Sequence, residues 1–578
     1  MENAEKMRHT LSHVLAAAVQ ELYPTTTFGI GPAIENGFYY DIDFGKTKIS
    51  DTDLPKIEKK MRGIIARKLS MTKRVVSKDE ALNWAHDQGQ TYKIELIEEL
   101  PDDEEISFYD LGDIFTDLCK GPHVENTSEL GAFKLVRIAG AYWRGDEKRE
   151  MLTRIYGVAF PTKKELEDYL KKQEEAKARD HRKLGKELDL FCFSDLVGSG
   201  LPLFTPRGTV LRDLLNEFTQ SYRLDNGYKK VCIPHIANVD LYKTSGHYEK
   251  FPEMLQFVSQ ESGDHLAIKP VSCPHHSQIF ASSPRSYKDL PIKYLETTMV
   301  YRDERKGELG GLSRVRAITQ DDSHVFCTED QVGGIFGELI ASAKDLYKKI
   351  DMKLKLRLSF RDDGDGYIGT PEMWEKAEGA IKEMADKFEM DYFIGEGEAA
   401  MYGPKMDFMA VDALGREWQL ATVQLDYAMP TRFHLEYTDA DGSKKTPIMI
   451  HCALIGSIER FMSVYLEHTA GWLPMWCAPE NVRILTVNNQ VADYVGKITE
   501  ILDKVELSDP LPHNKLRYAV DDSADSLGKK IRRATGMKIP CVIIVGPKDV
   551  ESNMVSVRLR DREEKNKLDG LGDFIRGL

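Results

Sequence analysis

The chain has 578 residues, and because domains of about 100–200 residues are typical, it holds several of them. Charged residues make up 30% and hydrophobic residues 42%, which excludes a disordered or fibrous protein, and the formal charge of −14 argues against a polyanion binder held by bulk electrostatics. No apolar run reaches the roughly 18 residues of a membrane span, and eight scattered cysteines without a CxxC pair favour the reducing cytoplasm.

The first predicted block ends near Phe160 and opens with an amphipathic helix. Its apolar residues fall on one stripe of that helix: Met7, Leu11, Val14, Leu15, Ala18 and Leu22. His9 and His13 are four residues apart and share a face that lies nearly opposite this stripe. In the following segment, GFYYDIDF, apolar and polar residues alternate from Phe38 to Phe44, which predicts a half-buried strand.

Cys119 and His123 lie later in the same block, in the segment DLCKGPHVENT, where Gly121 and Pro122 predict a loop. Together with the HxxxH pair they form a pattern that suits four-coordinate zinc. The same residues also fit an exposed histidine pair beside an unrelated buried cysteine. Spacing alone leaves both interpretations open.

A strongly charged stretch follows Pro161 and predicts a solvated connecting helix over residues 161–183. A large mixed α/β block covers residues 184–477. The last block, 478–578, alternates strand-like runs (VRILTV, CVIIVG, MVSVRLR) with helical ones (VADYVGKITEILDKV, SADSLGKKIRRATG), which predicts a small sheet covered by helices. This block is close to neutral while the rest of the chain is acidic, so an anionic partner is steered toward it if anywhere.

The central block contains the segment YLETTMVYRDERKGELGGLSRVRAITQDDSHVF, in which we expect strands over Tyr294–Arg302 and Val315–Phe326. A glycine-rich loop joins them, with Arg302 and Arg314 at the strand edges. Arginine offers a two-pronged donor to phosphate oxygens, so the loop is a candidate phosphate site. Taken alone, it also fits a solvated turn.

Two further segments of this block stand out. In IGSIERF, Gly456 allows close backbone approach before a helix whose first turn carries Arg460. In GYKKVCIPHI we expect a strand over Gly227–Ile236 with Pro234 at an edge or bulge, because proline lacks a donor. Taken singly, IGSIERF also fits a helix that starts with a surface arginine, and GYKKVCIPHI also fits an ordinary edge strand.

In this order the three segments resemble motifs 2, 3 and 1 of the class II aminoacyl-tRNA synthetases. The strings HRKLGKELDLF, TPRGTVLRDLL, TQDDSHVF, YGPKMDF and VQLDY extend the resemblance over almost the whole chain, to the threonyl-tRNA synthetase family within that class. The resemblance implies a multidomain α+β and α/β protein: an α+β editing domain at 1–160, the connecting helix at 161–183, an antiparallel-sheet catalytic core at 184–477 and an α/β anticodon-binding domain at 478–578. Pro234, the motif 1 proline, implies a homodimer.

The implied reaction is ATP-dependent attachment of L-threonine to tRNA(Thr) through a threonyl-adenylate. The resemblance places Arg302 on the α-phosphate, Glu304 on the adenine amino group, Arg460 on adenine and the γ-phosphate, and Arg314 as a second γ-phosphate contact. Lys405 is implied to line the threonine pocket. Charge develops on non-bridging phosphate oxygens, so fixed cations and Mg²⁺ are required more than an acid or base.

The resemblance also implies a zinc ion held by Cys273, His324 and His451, with an open coordination position for the amino nitrogen and hydroxyl of threonine. Composition alone does not separate these two histidines from others in the block: His275, His276 and His434. The family commonly has Cys-Pro-Gly-His where this chain has Cys-Pro-His-His, so the extra imidazole of His275 is expected to crowd the site or compete for metal.

Asp322 is implied to bind the amino group of threonine. The other implied pocket contacts are Gln320, Tyr402, Gln424 and Ser457. Valine lacks the hydroxyl and is rejected, whereas serine lacks only a methyl group, worth roughly 1–3 kcal/mol. A second, hydrolytic site is therefore expected.

The first block resembles the editing domain shared by threonyl- and alanyl-tRNA synthetases. In alanyl relatives the His/Cys residues hold zinc, but in the threonyl type they position water and the mischarged ester, so we expect a metal-free deacylase that removes serine from tRNA(Thr). The implied editing residues are His9, His13, Cys119, His123, Lys93, Tyr40 and Asp117. Bacterial relatives usually carry a TGS domain before this one, and we expect its contacts to be missing.

In the last block, Glu551 and Arg560 are implied to read anticodon bases, because a single-stranded loop exposes the edges of its bases to hydrogen bonding. A strand-edge salt bridge is the alternative for each. Other functions stay open as well: a non-catalytic RNA-binding paralogue, a free-standing editing hydrolase, or a sibling specificity such as seryl or prolyl. Non-catalytic paralogues tend to lose the nucleotide-binding arginines, so the presence of Arg302 and Arg460 argues against that alternative. The set Cys273, His324 and His451 distinguishes a threonyl enzyme from one with seryl or prolyl specificity.

Overall fold

A computed structural model of the chain describes residues 2–101, 104–251, 253–507, 510–511 and 514–578. Their contacts divide the chain into two units, Met1–Glu175 and Ala176–Leu578. Within the described ranges, no helix combines the length and the hydrophobicity that crossing a bilayer requires.

The first unit has the helices α1–α4: Glu2–Leu22, Leu54–Ala66, Lys78–Asp87 and Thr91–Glu98. Helix α5, Lys163–Arg179, begins in this unit and ends in the second. The strands β1–β8 of the first unit are Thr27–Phe28, Ala33–Ile34, Gly37–Asp43, Met71–Val76, Ile106–Leu111, Phe115–Leu118, Ala132–Tyr142 and Met151–Phe160. In its five-stranded sheet β3 pairs with β1, β2 and β8, and β8 pairs with β7; β4, β5 and β6 form a second sheet.

Helix α1 forms where its periodicity predicted it, and its apolar stripe packs into the core of this unit. The opposite face is not solvated, since every side chain from Thr10 to Val19 is buried, His13 among them. The alternative of an exposed histidine pair is therefore wrong. The half-buried strand is confirmed as β3, in which Tyr40 points inward and Tyr39 lies at the partly exposed face.

The single connecting helix expected over 161–183 is two helices. Helix α5 ends at Arg179, and α6 begins at His181 after Asp180, whose side chain accepts the N–H of Arg182 as an N-cap. The cap explains the break, because it supplies a partner for a backbone donor that a continuous helix would have used internally. Helix α6 is not solvated either: it buries His181 and Leu184.

The second unit contains an eight-stranded sheet with helices packed on it. Its helices α6–α18 are His181–Glu187, Pro206–Asp225, Val239–Ser245, His247–Lys250, Cys273–Ala281, Val332–Lys349, Pro371–Lys387, Ala428–Arg432, Ile458–His468, Ala492–Leu502, Leu527–Gly536, Pro547–Ser552 and Leu571–Arg576. Its strands β9–β30 are Phe191–Cys192, Leu203–Phe204, Lys229–Lys230, Ile236–Asn238, Gln256–Val258, His265–Ile268, Ile292–Tyr301, Ala317–Cys327, Lys353–Phe360, Tyr392–Glu396, Lys405–Val411, Glu417–Asp426, Tyr437–Thr438, Lys444–Lys445, Ile448–Ala453, Val482–Thr486, Glu506–Leu507, Asn514–Lys515, Tyr518–Asp521, Cys541–Val545, Met554–Arg558 and Glu563–Lys567.

The large sheet has the strand order β11-β15-β16-β23-β20-β19-β17-β18. Its central pairs are antiparallel, and only the two outermost pairs, β11 with β15 and β17 with β18, are parallel. The two strands expected around the glycine-rich loop are confirmed as β15 and β16, paired over ten residues. Helix α7 packs on β15 and β16, and helix α14 packs on β16.

The strand expected over Gly227–Ile236 is wrong for most of its length. Only Lys229 and Lys230 pair, with β15, and Ile236 starts β12, which belongs to a different sheet. Between them the N–H of Ile233 donates to the Glu296 carboxylate at 2.9 Å instead of to a neighbouring strand. Pro234 follows directly and has no N–H to donate, so the chain does not pair again before Ile236.

The C-terminal sheet has the order β27-β24-β28-β29-β30. Its first three strands are parallel and its last two antiparallel. The strand-like runs VRILTV, CVIIVG and MVSVRLR form β24, β28 and β29, and the two helical runs form α15 and α16, so the predicted α/β pattern is confirmed.

Candidate active sites

Four predicted site residues form one row across four neighbouring strands of the large sheet. Lys405 on β19 pairs with Gln424 on β20, Gln424 with His451 on β23, and His451 with His324 on β16. Directly paired residues in an antiparallel sheet project to the same face. The row therefore gathers side chains from four distant parts of the sequence on one surface.

The predicted metal ligands meet at the end of this row. Cys273, at the start of helix α10, joins His324 and His451, and the ligand atoms of the three buried side chains lie within 4.8 Å of one another. The His324 Nε2 and His451 Nδ1 atoms are 3.0 Å apart. Burial raises the pKa of the Cys273 thiol well above its usual range, so a thiolate here needs a cation beside it.

Each histidine of the trio is fixed through its other nitrogen. His451 Nε2 lies 2.9 Å from Asp426 Oδ2, and His324 Nδ1 lies 2.7 Å from His276 Nδ1. Asp426 is fixed in turn, because its Oδ1 accepts the N–H groups of Ala428 and Met429. This donor set and its buried supporting groups fit a zinc ion.

His275 does not join this group among the described residues, although it neighbours Cys273 in sequence. Its ring lies edge-on to Tyr242, with centroids 6.3 Å apart, and neither ring nitrogen has a hydrogen-bond partner within the described part of the chain. The expected competition for the ligand set is thus absent from this arrangement. His434 is exposed and lies outside the group too.

The implied threonine contacts surround the trio. The Tyr402 hydroxyl donates to Gln424 Oε1 at 2.7 Å, and its ring stacks on His451 with centroids 4.6 Å apart. Asp322 Oδ1 lies 3.6 Å from His324 Nε2. Gln320 occupies the same face of β16 two residues earlier and forms a β-bridge with Ser457.

Two predicted phosphate-binding arginines are partly buried and incompletely paired. Arg302 lies over the Phe251 ring at 5.0 Å, and Arg460 lies over Trp418 at 5.9 Å. Within the described residues, the Nε atom of each has no hydrogen-bond partner. Burial lowers the pKa of both guanidinium groups, which indicates a site that favours an incoming anion.

The other charged candidates contact acidic groups. Arg314 donates to Glu304 Oε2 at 2.8 Å, so the predicted adenine contact and the predicted γ-phosphate contact bind each other here. Lys405 Nζ lies 3.2 Å from the buried Asp407 carboxylate.

In the first unit, the predicted editing residues form a second cluster. The ligand atoms of His9, His13, Cys119 and His123 lie within 4.8 Å of one another, and Cys119 Sγ is 3.3 Å from Nε2 of both His9 and His123. Burial raises the pKa of the Cys119 thiol to about 11. Burial also lowers the pKa of the three histidines, so the imidazoles are neutral at pH 7.

A buried polar network lies beside this cluster. Lys93 Nζ is 2.6 Å from Asp117 Oδ1 and donates to the Tyr40 hydroxyl at 3.2 Å. The Tyr40 hydroxyl donates to the other oxygen of Asp117, which also lies 3.8 Å from His13 Nε2. All three additional residues predicted for this site are thus brought together with the His/Cys cluster.

Comparisons with known proteins extend over nearly the whole chain. The family model "tRNA synthetase class II core domain (G, H, P, S and T)" matches residues 256–469, "Threonyl and Alanyl tRNA synthetase second additional domain" matches 106–156, and "Anticodon binding domain" matches 481–576. The threonine–tRNA ligase of Gloeobacter violaceus is 48% identical over 576 residues, 98% of this chain and 90% of the relative. That of Bacteroides fragilis is 47% identical over 574 residues, covering 98% and 87%. The chain belongs to the threonyl-tRNA synthetase family.

Among solved structures, the RNA binding domain of threonyl-tRNA synthetase from Cryptosporidium parvum matches with a TM-score of 0.64 and 33% identity, over 69% of this chain and 98% of that one. As a threonyl-tRNA synthetase, the chain attaches L-threonine to tRNA(Thr) through a threonyl-adenylate, with Mg²⁺ and ATP, and hydrolyses mischarged Ser-tRNA(Thr) in its editing domain. The predicted fold class and activity are confirmed, and the paralogue, hydrolase and sibling alternatives are not supported.

The synthetase also uses residues that sequence reasoning missed. Asp426 and His276 orient the two histidines of the trio. Glu459 accepts the N–H and hydroxyl of Thr319 and the hydroxyl of Ser457, which ties the motif 3 helix to the motif 2 strand. The only sequence signal for Asp426 was its place inside the string VQLDY. Whether a residue orients a histidine depends on its burial and its hydrogen-bond partners, and both are set by the fold.

The two residues predicted to read the anticodon are both exposed. Glu551 lies in the short helix α17, and Arg560 follows the end of β29. The Arg560 guanidinium lies over the Trp472 ring, 5.1 Å from its centroid. Neither residue forms an ion pair within the described residues.

Proposed function

We propose that Cys273, His324 and His451 hold one zinc ion per chain. The observation that carries this proposal is the convergence of their ligand atoms to within 4.8 Å on buried side chains. The polar groups behind both histidines support it, since ligating histidines are usually oriented in this way. When bound, the zinc supplies an open, Lewis-acidic position for the amino nitrogen and the hydroxyl of threonine.

The chain's own residues complete the threonine pocket. Asp322 binds the amino group of threonine, because its carboxylate lies beside the trio and on the same face of the sheet. Tyr402, held by Gln424 and stacked on His451, forms a fixed wall that keeps water from the pocket. Gln320 and Ser457 border the side of the pocket nearest the motif 3 helix.

ATP binds next to threonine, with its phosphates on the arginines. Arg302 contacts the α-phosphate, and Arg460 stacks on adenine and approaches the γ-phosphate. Glu304 binds the adenine amino group, while Arg314 exchanges its contact with Glu304 for the γ-phosphate. Lys405, paired with Gln424, lines the neighbouring threonine pocket. The partly buried guanidinium groups gain a partner when the phosphates enter.

In the activation step, a carboxylate oxygen of threonine attacks the α-phosphorus, and the bond from that phosphorus to the pyrophosphate oxygen breaks. Negative charge grows on the non-bridging oxygens, and Arg302 is fixed in advance by Phe251 to stabilise it. The pyrophosphate leaves with Mg²⁺.

For the editing domain we propose a metal-free deacylase. Neutral His9, His13 and His123 with Cys119 position a water molecule and the ribose of the mischarged ester. Lys93, Tyr40 and Asp117 fix one side of this site through their buried network. Glu551 and Arg560 remain the proposed anticodon contacts.

We place the subunit contact of a homodimer at motif 1. The segment around Pro234 leads into the small sheet β12-β14-β13, which exposes the apolar side chains of Ile236, Phe257 and Val258. Sedimentation of the protein tests this, since a dimer is expected and Val258→Asp should shift it toward monomer. All eight cysteines are free thiols, which supports a reducing, cytoplasmic setting.

The zinc proposal is tested by Cys273→Ser, measured by zinc content and threonine-dependent ATP–pyrophosphate exchange. Serine removes the thiolate ligand, so zinc retention and exchange should both be lost. Cys541→Ser is the matched control, because Cys541 is an equally buried thiol in the C-terminal sheet. Full exchange by the Cys273→Ser protein would refute the proposed ligand set.

A further inference from the structure

A buried histidine, His181, lies outside both proposed active sites and uses both of its ring nitrogens. It opens helix α6 and is 6% exposed. The N–H of Leu312 donates to His181 Nε2 at 3.1 Å. His181 Nδ1 lies 2.7 Å from Glu467 Oε1, and the same oxygen accepts the backbone N–H of His181 at 3.1 Å.

These contacts define the tautomer of the ring. Because a backbone N–H donates to Nε2, that nitrogen carries a lone pair, and the proton sits on Nδ1 and donates to Glu467. Glu467 is also held by Arg416 at 2.6 Å. Ligand atoms of Asp180, His181 and Glu467 lie within 4.8 Å of one another, as in a metal site. The Asp180 carboxylate, however, already accepts hydrogen bonds from Arg182, so we interpret the group as hydrogen-bonded and not as a metal site.

The two partners of His181 belong to the two motifs of the proposed ATP site. Leu312 lies in the glycine-rich loop of motif 2, in a turn closed by the N–H of Ser313 on the carbonyl of Gly310. Two residues later the loop reaches Arg314. Glu467 lies near the end of α14, the motif 3 helix that begins two residues before Arg460.

The loop backbone passes unusually close to the imidazole. Gly311 has φ +61°, and a Cβ at this position would lie 2.3 Å from His181 Nε2. A side chain there would therefore push the loop away from the ring as well as strain the backbone. The contact needs both the glycine of the loop and the histidine of α6.

We propose that His181 is a positioning residue for ATP, fixing the motif 2 turn against the end of the motif 3 helix. Through this one side chain, the loop that carries Arg314 and the helix that carries Arg460 are set relative to each other. The inference rests on the proposed ATP contacts of these arginines. It assigns no contact with substrate to His181 itself.

Two substitutions separate the two bonds of the ring. Asparagine reaches about as far as Nδ1, so His181→Asn keeps the bond to Glu467 and loses the bond to Leu312. Glutamine reaches about as far as Nε2, so His181→Gln keeps an acceptor for Leu312. The readout is the KM for ATP and the KM for threonine in ATP–pyrophosphate exchange, with thermal unfolding of each variant as a check on folding.

We expect His181→Asn to raise the KM for ATP roughly 3- to 10-fold, the range that loss of one hydrogen bond produces, with the KM for threonine unchanged. His181→Gln should restore the KM for ATP. An unchanged KM for ATP in a folded His181→Asn protein, or an equal rise in both constants, overturns the proposal. Gly311→Ala, which displaces the loop and leaves His181 intact, should raise the KM for ATP too and serves if His181→Asn does not fold.

Arg460→Lys, measured alongside, distinguishes this inference from the site on which it rests. If Arg460→Lys raises the KM for ATP and His181→Asn does not, the role of His181 is wrong and the ATP site stands. If Arg460→Lys leaves the KM for ATP unchanged, the proposed ATP site is wrong, and the inference falls with it.

Discussion

His324 and His451 occupy directly paired positions on neighbouring strands, with His324 Nε2 and His451 Nδ1 only 3.0 Å apart. Burial lowers the pKa of His324 well below its usual range, so this ring is neutral. A neutral imidazole binds metal through a lone pair. The His324 and His451 rings, facing each other beside the buried Cys273 thiol, form a donor set that one cation satisfies.

The group behind His451 should control metal affinity. In Asp426→Asn, the amide oxygen is expected to stay on the N–H groups of Ala428 and Met429, which turns the amide NH₂ toward His451 Nε2. The proton then moves to Nδ1 of His451 and blocks the ligand nitrogen. Zinc affinity, measured by competition with a chelator, should fall about 10- to 100-fold. Asp439→Asn, at a half-buried carboxylate far along the sequence from the trio's ligands His324 and Cys273, is the control, and equal affinity in both variants would count against this orientation.

Arg302→Lys should impair activation through the chemical step. Lysine keeps the charge but loses the planar fork that binds two phosphate oxygens, so threonine-dependent ATP–pyrophosphate exchange should fall about 10²- to 10³-fold. Arg305→Lys, an exposed arginine of the same loop, should stay within about twofold of the wild type. Similar rates for the two variants would mean that Arg302 does not contact the α-phosphate.

Replacement of His9 and His13 by alanine should separate editing from synthesis. Threonine charging should remain near the wild-type rate, because these residues belong to the editing domain, whereas Ser-tRNA(Thr) should accumulate when serine is supplied. His86→Ala, an exposed histidine of the same unit, should leave editing intact. Failure to detect mischarged tRNA with the double variant would remove the editing assignment.

Cys119 should be a slow target for alkylation. Burial raises the pKa of its thiol to about 11, so at pH 8 only about one molecule in a thousand carries the thiolate, the reactive form. The exposed Cys192 should react with iodoacetamide first, and the Cys119 rate should keep rising with pH up to about 11. Mass spectrometry of tryptic peptides measures this. Reaction of Cys119 at neutral pH as fast as Cys192 would indicate a thiolate, and with it a cation in the editing site.

Much of the local structure around the sites could be predicted from the sequence. Alternation along β16 places Gln320, Asp322 and His324 on one face, as the period of a strand requires. Gly456 before the motif 3 helix is required in the structure, since its φ is +67° and a Cβ would lie 2.7 Å from the Leu420 carbonyl. The N-cap of that helix, Ser457, has the residue type that caps favour.

Relationships between distant segments could not be predicted in this way. The pairing of His324 with His451 depends on the register of strands that are more than a hundred residues apart, and no local pattern fixes it. Only the family resemblance selected these two from the other histidines. The break at Asp180 and the end of the ladder before Pro234 depend on partners, Arg182 and Glu296, that become evident only in the folded chain.

Threonine activation by the protein before and after removal of zinc tests the central claim most directly. After dialysis against a chelator, with the residual metal content measured, threonine-dependent ATP–pyrophosphate exchange should disappear, and one equivalent of zinc per chain should restore it. Undiminished exchange by the zinc-free protein would contradict the account.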